Sequence, residues 1–209
     1  MKRALDLFCK AGGATKGLQR VGYHVTGVDI APQPHYCGDA FYQADALTFD
    51  LTGYDLIWAS PPCQAYTVLN VLHDKEYPDL VALVRERLSV LDTPWIIENV
   101  EGAPLHNPLM LCGTMFGLRV IRHRLFETSP PIYFPPATCT HMHPVIKHGR
   151  KPDRNRHYAA VTGHFSDVDF ARQAMGIDWM TRDELSEAIP PAYSEFLATE
   201  IQKALTYAE

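Results

Sequence analysis

Two short stretches carry side chains able to do covalent chemistry. Tyr54–Gln64, YDLIWASPPCQ, opens as a buried strand (Leu56, Ile57, Trp58). Pro61 and Pro62 then forbid sheet or helix continuation, which leaves Cys63 and Gln64 on a turn just past a strand end. Trp95–Val100, WIIENV, repeats the pattern: an apolar run stops at the polar pair Glu98-Asn99. In open α/β sheets the carboxyl edge of the strands is where ligands bind. A thiol and a carboxylate delivered to one such rim make a nucleophile and an acid. The plainer reading of Cys63 is a buried structural thiol, since free cysteine is among the most buried residue types.

The elements that must position this pair begin with Ala4–Phe8, an apolar run broken by Asp6. Cys9–Gly13 forms a small-residue turn, Ala14–Val21 has helical spacing, and His24–Val28 is a second strand ending at Asp29. Strand, glycine turn, helix, strand and acid in this order describe the nucleotide-binding half of a Rossmann-like sheet. Gly12 and Gly13 allow close backbone approach to a ligand, and the helix N-terminus behind them favours anionic groups. Asp29 is placed either to accept ribose hydroxyls or simply to cap the turn. Pro32–Gly38 reads as a loop, and Tyr42–Leu47 ends a third short strand at Asp45, which on its own suits a helix cap equally well. Ala65–Tyr77 has little periodicity and reads as a loop at the rim. Helices are predicted over Asp79–Leu91 and over Leu105–Phe116, the latter stopped by Gly117. Leu118–Glu127 alternates apolar and basic residues at strand spacing and puts Arg122 and Arg124 on one face, which read alone is a solvated strand edge. Phe170–Trp179 and Arg182–Leu185 look helical in part. A last helix, Tyr193–Ala208, carries Phe196, Leu197, Ile201 and Leu205 on one stripe.

At 209 residues, with 46% hydrophobic and 21% charged residues, the chain has the size and composition of one soluble domain with a proper core. No apolar stretch reaches membrane-spanning length, and Met1-Lys2-Arg3 runs straight into a strand rather than a signal peptide. Five scattered cysteines point to a reducing cytoplasm, not a disulfide framework. A net charge of −5 disfavours phosphate binding in general, yet Lys147–His157, KHGRKPDRNRH, sets five Lys or Arg against one Asp and forms a local basic patch. Cys139-Thr-His141-Met-His143 suggests a zinc ligand set. Tetrahedral sites need four ligands, however, and this run has neither a fourth nor a paired spacing, so no metal is expected.

Pro61-Pro62-Cys63-Gln64 followed by Glu98-Asn99-Val100, behind a glycine-bearing first strand, resembles the cytosine-5 DNA methyltransferases, whose most diagnostic motifs are PCQ and ENV. Phe8–Gly13 is similar to the family's F-x-G-x-G-G cofactor loop, with Lys10 where the family has Gly. That side chain either crowds the loop or pairs with the cofactor carboxylate. Arg122 and Arg124 match the family's Q-x-R-x-R motif, with Val120 in place of Gln. Ala188–Tyr193 resembles its G-N-A-V-P-P run, with Glu187 in place of Asn. The resemblance spans nearly the whole chain except Pro130–Gly163, where the family inserts a target-recognition domain much longer than this segment.

What the resemblance implies is specific. The fold is an α/β Rossmann-like S-adenosylmethionine-dependent methyltransferase sheet with helices on both faces. Residues 1–129 form its catalytic and cofactor-binding core, 130–163 a short recognition insertion, and 164–209 a segment packing back beside the cofactor. Asp6, Phe8, Gly12, Gly13, Asp29, Ile30, Asp45, Ala46 and Pro61 contact S-adenosylmethionine. Cys63, Glu98, Arg122 and Arg124 are catalytic, while Gln64, Asn99, Arg150, Lys151, Arg154 and Arg156 meet DNA. Asn99 better suits fixing the loop around Cys63 than chemistry. The short insertion and acidic charge keep two other functions open. One is carbon-5 methylation of single strands or a free cytosine nucleotide. The other is a non-catalytic partner that binds DNA or cofactor for another subunit, against which the intact Cys63, Glu98, Arg122 and Arg124 speak.

Overall fold

The computed structural model describes residues 1–66, 78–146 and 153–207. Its frame is a seven-stranded sheet in the order β3-β2-β1-β4-β5-β7-β6. β1 (Arg3–Leu7), β2 (His24–Asp29), β3 (Ala40–Gln43), β4 (Leu56–Ala59) and β5 (Trp95–Asn99) run parallel. β7 (Arg124–Ser129) is antiparallel to both β5 and β6 (Leu109–Leu111). The chain leaves β1 towards β2 and β3 on one side, then returns to lay β4 and β5 on the other. The strand order therefore reverses between β1 and β4, which opens a crevice at their carboxyl ends.

Alternation along the strands divides the core into two faces. Leu56, Trp58, Ile96 and Phe126 point to one face, where they meet Leu18 of α1 (Gly13–Arg20) and Tyr193, Leu197 and Ile201 of α5 (Pro191–Thr206). Ile57, Ala59, Trp95 and Ile97 point to the other, against Val84 and Leu88 of α2 (Leu80–Ser89). The two helices on the first face touch because Gly17 leaves room. A Cβ there would lie 2.1 Å from both the Pro191 carbonyl oxygen and Ser194 Oγ. A third cluster joins Val120, Val161, Phe165, Phe170, Met175 and Leu185 around α3 (Val168–Met175) and α4 (Arg182–Glu187). Capping is regular: Asp79 accepts from Ala82 N, Asp167 from Phe170 N, and Thr181 forms a reciprocal box with Glu184.

Three expectations need correction. The helix predicted over Leu105–Phe116 is instead the short strand β6 followed by a single 3₁₀ turn, Gly113–Phe116. Pro108 lacks the N–H a helix needs, and pairing with β7 outweighs the apolar spacing. The third strand lies earlier than predicted, over Ala40–Gln43, which leaves Asp45 in the turn that follows. The strand predicted over Leu118–Glu127 begins only at Arg124, so Arg122 and Arg124 do not share a strand face. Most of the rim loop predicted over Ala65–Tyr77 lies outside the described residues, as do Arg150 and Lys151.

Candidate active site

Cys63 sits where β4 has ended and two prolines have turned the chain. Ser60 N still donates to Leu7 O at 3.2 Å, and by Tyr66 N, which donates to Cys63 O at 2.9 Å, the backbone has curled into a 3₁₀ turn. Asn99, at the end of β5, ties this loop down. Its Nδ2 donates to the Pro61 carbonyl at 2.9 Å, and its Oδ1 accepts from Val100 N at 2.9 Å. Asn99 is thus buried and committed to positioning the Cys63 loop.

Glu98 is buried beside it and paired with Arg124, Nε to Oε1 at 3.0 Å. Trp58 Nε1 donates to Ser60 Oγ at 2.8 Å, and the Ser60 hydroxyl in turn donates to Glu98. Burial pushes the Glu98 carboxyl above its ordinary range, while Arg124, Ser60 and Arg122 pull it back. Burial likewise pushes the Cys63 thiol up; Arg124 counteracts this and Glu98 reinforces it. Arg124 therefore lowers the proton affinity of both groups, against the burial that raises it. Ser60 carried no recognisable signal in the sequence beyond its place at a strand end.

These groups open into one cavity of about 540 Å³ at the reversal point of the sheet. Its wall includes Cys63, Gln64, Glu98, Asn99 and Arg124 together with Asp6, Phe8, Gly13, Asp29, Ile30, Asp45, Ala46 and Pro61. Gly12 is not on the wall. It holds the left-handed turn (φ 88°) before α1, where a Cβ would fall 2.7 Å from Cys37 Sγ. Lys10 also takes a left-handed conformation (φ 47°), and its ammonium points to Glu187 Oε2 at 3.4 Å. Asp29 receives Lys10 N and Ala31 N at 3.1 and 3.0 Å, which holds the loop against the end of β2. Asp45 Oδ1 accepts from Leu47 N at 2.8 Å in a turn. Asp6 accepts the Thr15 hydroxyl at 2.5 Å and is fully enclosed; burial raises its carboxyl to about 7.

The remaining wall comes from the C-terminal elements: Met180, Glu184, Ser186, Glu187, Ala188 and Ile189. Ser194 Oγ donates to Ala14 O at 2.7 Å, and Trp179 Nε1 to Ala11 O at 2.8 Å, fixing these elements to the glycine turn. Gly13 permits this approach, since a Cβ would come within 2.7 Å of the Ile189 carbonyl.

Arg122 stands behind these groups and does not line the cavity. It is buried, and its guanidinium donates to Val161 O at 2.9 Å and Ser186 O at 2.8 Å; Tyr193 Oη donates to its carbonyl at 2.6 Å. It fastens the strand entry to the C-terminal elements rather than facing the cavity. Of the basic patch, Arg154 pairs with Asp167 at 3.1 Å and Arg156 with Asp153 at 3.8 Å, both away from the cavity wall.

No family model and no curated protein matches this sequence. Among solved structures, a prophage-encoded E. coli protein assigned as a DNA modification methyltransferase superimposes over 99% of this chain and 100% of its own, with a TM-score of 0.66 at 14% identity. The fold is that of Rossmann-like methyltransferases. Spodoptera frugiperda DNMT2 and S. pombe Dnmt2 overlap less, each with a TM-score of 0.46 and 19% identity over 61% of this chain and 49% and 48% of theirs. Within the methyltransferase fold, the cavity described above occupies the crevice between β1 and β4. Among the described residues no helix is long and apolar enough to cross a membrane.

Proposed function

We propose that this chain transfers a methyl group from S-adenosylmethionine to carbon 5 of cytosine in DNA through a covalent adduct on Cys63. The observation that carries this reading is the convergence of Cys63, Glu98 and Arg124 on one cavity that Asp29, Ile30 and Ala46, the chemistry of a nucleoside site, also line. The residues fit the cofactor. Asp29 stands at the end of β2 with lone pairs left for ribose hydroxyls, Ile30 and Ala46 offer apolar contact to a purine, and Gly13 at the start of α1 lines the same cavity. When bound there, S-adenosylmethionine supplies an electrophilic methyl group to carbon 5.

The protein's part is to make carbon 5 nucleophilic. Sulfur of Cys63 adds to carbon 6, and the electron pair of the 5,6 double bond is pushed through the ring towards nitrogen 3 and the carbonyl oxygen. Glu98, whose carboxyl burial pushes towards the protonated form, protonates nitrogen 3 as that charge develops, and Arg124 donates to the carbonyl oxygen. The proton released by Cys63 passes to Glu98 as Glu98 gives its own to nitrogen 3, so the enclosed site gains no net charge. After methyl transfer, solvent takes the carbon 5 proton, the double bond reforms, and Cys63 leaves as a thiol as nitrogen 3 returns its proton through Glu98. None of these groups can reach a stacked cytosine, so a duplex substrate must have its base flipped out. Arg122 and Asn99 act as positioning residues for Arg124 and Cys63 respectively.

A second reading is supported by one observation. Both described arginines of the basic patch are already paired with aspartates, which weakens the case for a long duplex-binding surface. In that reading the substrate is a single strand or a free cytosine nucleotide.

The test is methyl-labelled S-adenosylmethionine with duplex DNA, single-stranded DNA and deoxycytidine nucleotide in parallel, alongside Cys63→Ala shown to bind cofactor normally. Label recovered as 5-methylcytosine from duplex, and absent with Cys63→Ala, supports the leading reading. A duplex containing 5-fluorocytosine should then trap Cys63 covalently, because no carbon 5 proton is available to leave. Transfer only to single strands or nucleotide moves the conclusion to the second reading. Cofactor binding without transfer to any of the three rejects catalysis by this chain alone.

A further inference from the structure

Four side chains from three separated stretches meet outside the cavity. Cys112 follows β6, His123 immediately precedes β7, and Cys139 and His141 lie in the segment after it. One ligand atom from each falls within 4.8 Å of all the others. The Cys139 Sγ–His141 Nε2, Cys139 Sγ–His123 Nε2 and Cys112 Sγ–His141 Nε2 separations are 3.1, 3.5 and 3.5 Å. Tetrahedral zinc with ordinary bond lengths requires sulfur–nitrogen edges of about 3.5 Å. The described cysteines are free thiols, so the grouping is not a disulfide.

The surroundings are those of a metal centre. His123 presents Nε2 to the cluster and turns Nδ1 to Glu101 Oε2 at 3.2 Å, the carboxylate contact that orients a metal-bound imidazole. Thr114 Oγ1 lies 3.4 Å from Cys112 Sγ and 3.8 Å from Cys139 Sγ, placed to donate to thiolates. His143, the nearest candidate by sequence, is not part of the group and packs its ring edge-on to Tyr158 at 5.6 Å. The expectation of no metal counted ligands only along Cys139–His143; folding brings the missing two from residues 112 and 123.

We propose that Cys112, His123, Cys139 and His141 form a structural zinc site that fastens the segment after β7 to the strand entry carrying Arg122 and Arg124. Two thiolates and two imidazoles complete a tetrahedron and leave no open position, which suits a structural rather than a catalytic ion. The segment needs such a fastening. It leaves Tyr133, Phe134 and Met142 largely exposed, so it has little apolar surface of its own to bury. His123 stands between the two arginines, so the ion also restrains the backbone that aims Arg124 at Glu98. This inference holds whichever base the cavity takes.

The full chain is expressed with zinc supplementation, desalted under reducing conditions, and its metal content measured by mass spectrometry. About one zinc per chain is expected in the parent and in His143→Ala, and at least a tenfold lower content in Cys139→Ser and His141→Ala. As a readout independent of the variants, the parent stripped with chelator and reloaded with Co²⁺ should show the visible bands and thiolate charge-transfer absorption of tetrahedral Cys₂His₂ coordination. It should also regain protection of residues 130–146 from proteolysis. Parent protein with negligible zinc that also fails to bind Co²⁺ would overturn the site. So would zinc retained in full by both ligand variants, or zinc lost from His143→Ala.

Discussion

Asp6 makes the stability of this protein depend on pH in a direction opposite to that of an ion-paired carboxylate. It sits on β1 with 1% of its surface exposed, accepts one hydroxyl hydrogen bond from Thr15, and faces Asp29 and Glu98 as like charges. Burial is the largest cause of its displacement from 3.8 to about 7. Below about pH 4 the carboxyl is neutral in both folded and unfolded chains. As the pH rises, the unfolded chain releases this proton first and the folded chain holds it until about pH 7. Stability contributed by the neutral carboxyl is therefore complete in acid and is lost as the pH climbs through that window. Roughly three pH units at about 1.36 kcal/mol each make a loss of about 4 kcal/mol. Against a typical total of about 5–15 kcal/mol, this is large enough to read from urea unfolding. Asp6→Asn keeps an acceptor for Thr15 and removes the titration. The measurement is the unfolding free energy of parent and variant at half-unit steps from pH 4.5 to 8. Carboxylates away from Asp6 cancel in the difference, which should move in favour of Asp6→Asn by several kcal/mol and level off above pH 7. A difference that stays flat, or that moves in favour of the parent as pH rises, would refute the buried-acid account. The same logic reaches the ligand. A cationic group bound beside Asp6 would favour its ionised form, so cofactor binding at pH 6 should release a proton. Calorimetry in two buffers of different ionisation enthalpy would detect it.

Three further outcomes follow from the geometry. Because Arg124 lowers and Glu98 raises the proton affinity of Cys63, Glu98→Gln should shift the pH profile of Cys63 alkylation to lower pH and Arg124→Met to higher pH; shifts of the same sign in both would contradict the proposed charge balance. Gly17→Ala places a methyl group 2.1 Å from the Pro191 carbonyl and Ser194 Oγ at the α1–α5 contact. It should cost about 1–3 kcal/mol or more, and a melting temperature within a degree of the parent would show that the two helices can part freely. Arg85 donates to both Glu127 oxygens, with Nε and Nη2 each at 2.8 Å from its nearer partner oxygen, and both side chains are largely buried. Arg85→Met should cost about 3–5 kcal/mol by leaving that carboxylate uncompensated, and adding Glu127→Leu should recover part of the loss. A double variant less stable than the single one would mean the charge was not the cause.

How much of this could be read from the chain depended on where each residue's partners lie in sequence. Strands β2, β4 and β5 were legible because each is an apolar run ended by a polar residue, and β1 because its apolar run meets a glycine-bearing turn; the sheet is buried on both faces. Cys63 and Glu98 were legible for the same reason: strand ends mark themselves, and parallel strands bring their ends to one edge. Arg122 was misread because alternation was extended from Leu118, six residues ahead of the true start of β7 at Arg124. Its guanidinium answers to Val161 and Ser186, partners 39 and 64 residues away that no local period can report. The strand β6 was misread for a related reason. Three residues at a sheet edge have little periodicity of their own and are held by pairing with β7, while the apolar spacing around Pro108 imitates a helix. The Cys and His cluster is the extreme case. Its ligands come from the end of β6, the entry to β7 and the segment beyond, so nothing but the folded sheet edge makes them neighbours. The residues legible in advance are those whose role is set by position along one strand. Those that hold the segments together, including the group that would bind zinc, become visible only once the strands are side by side.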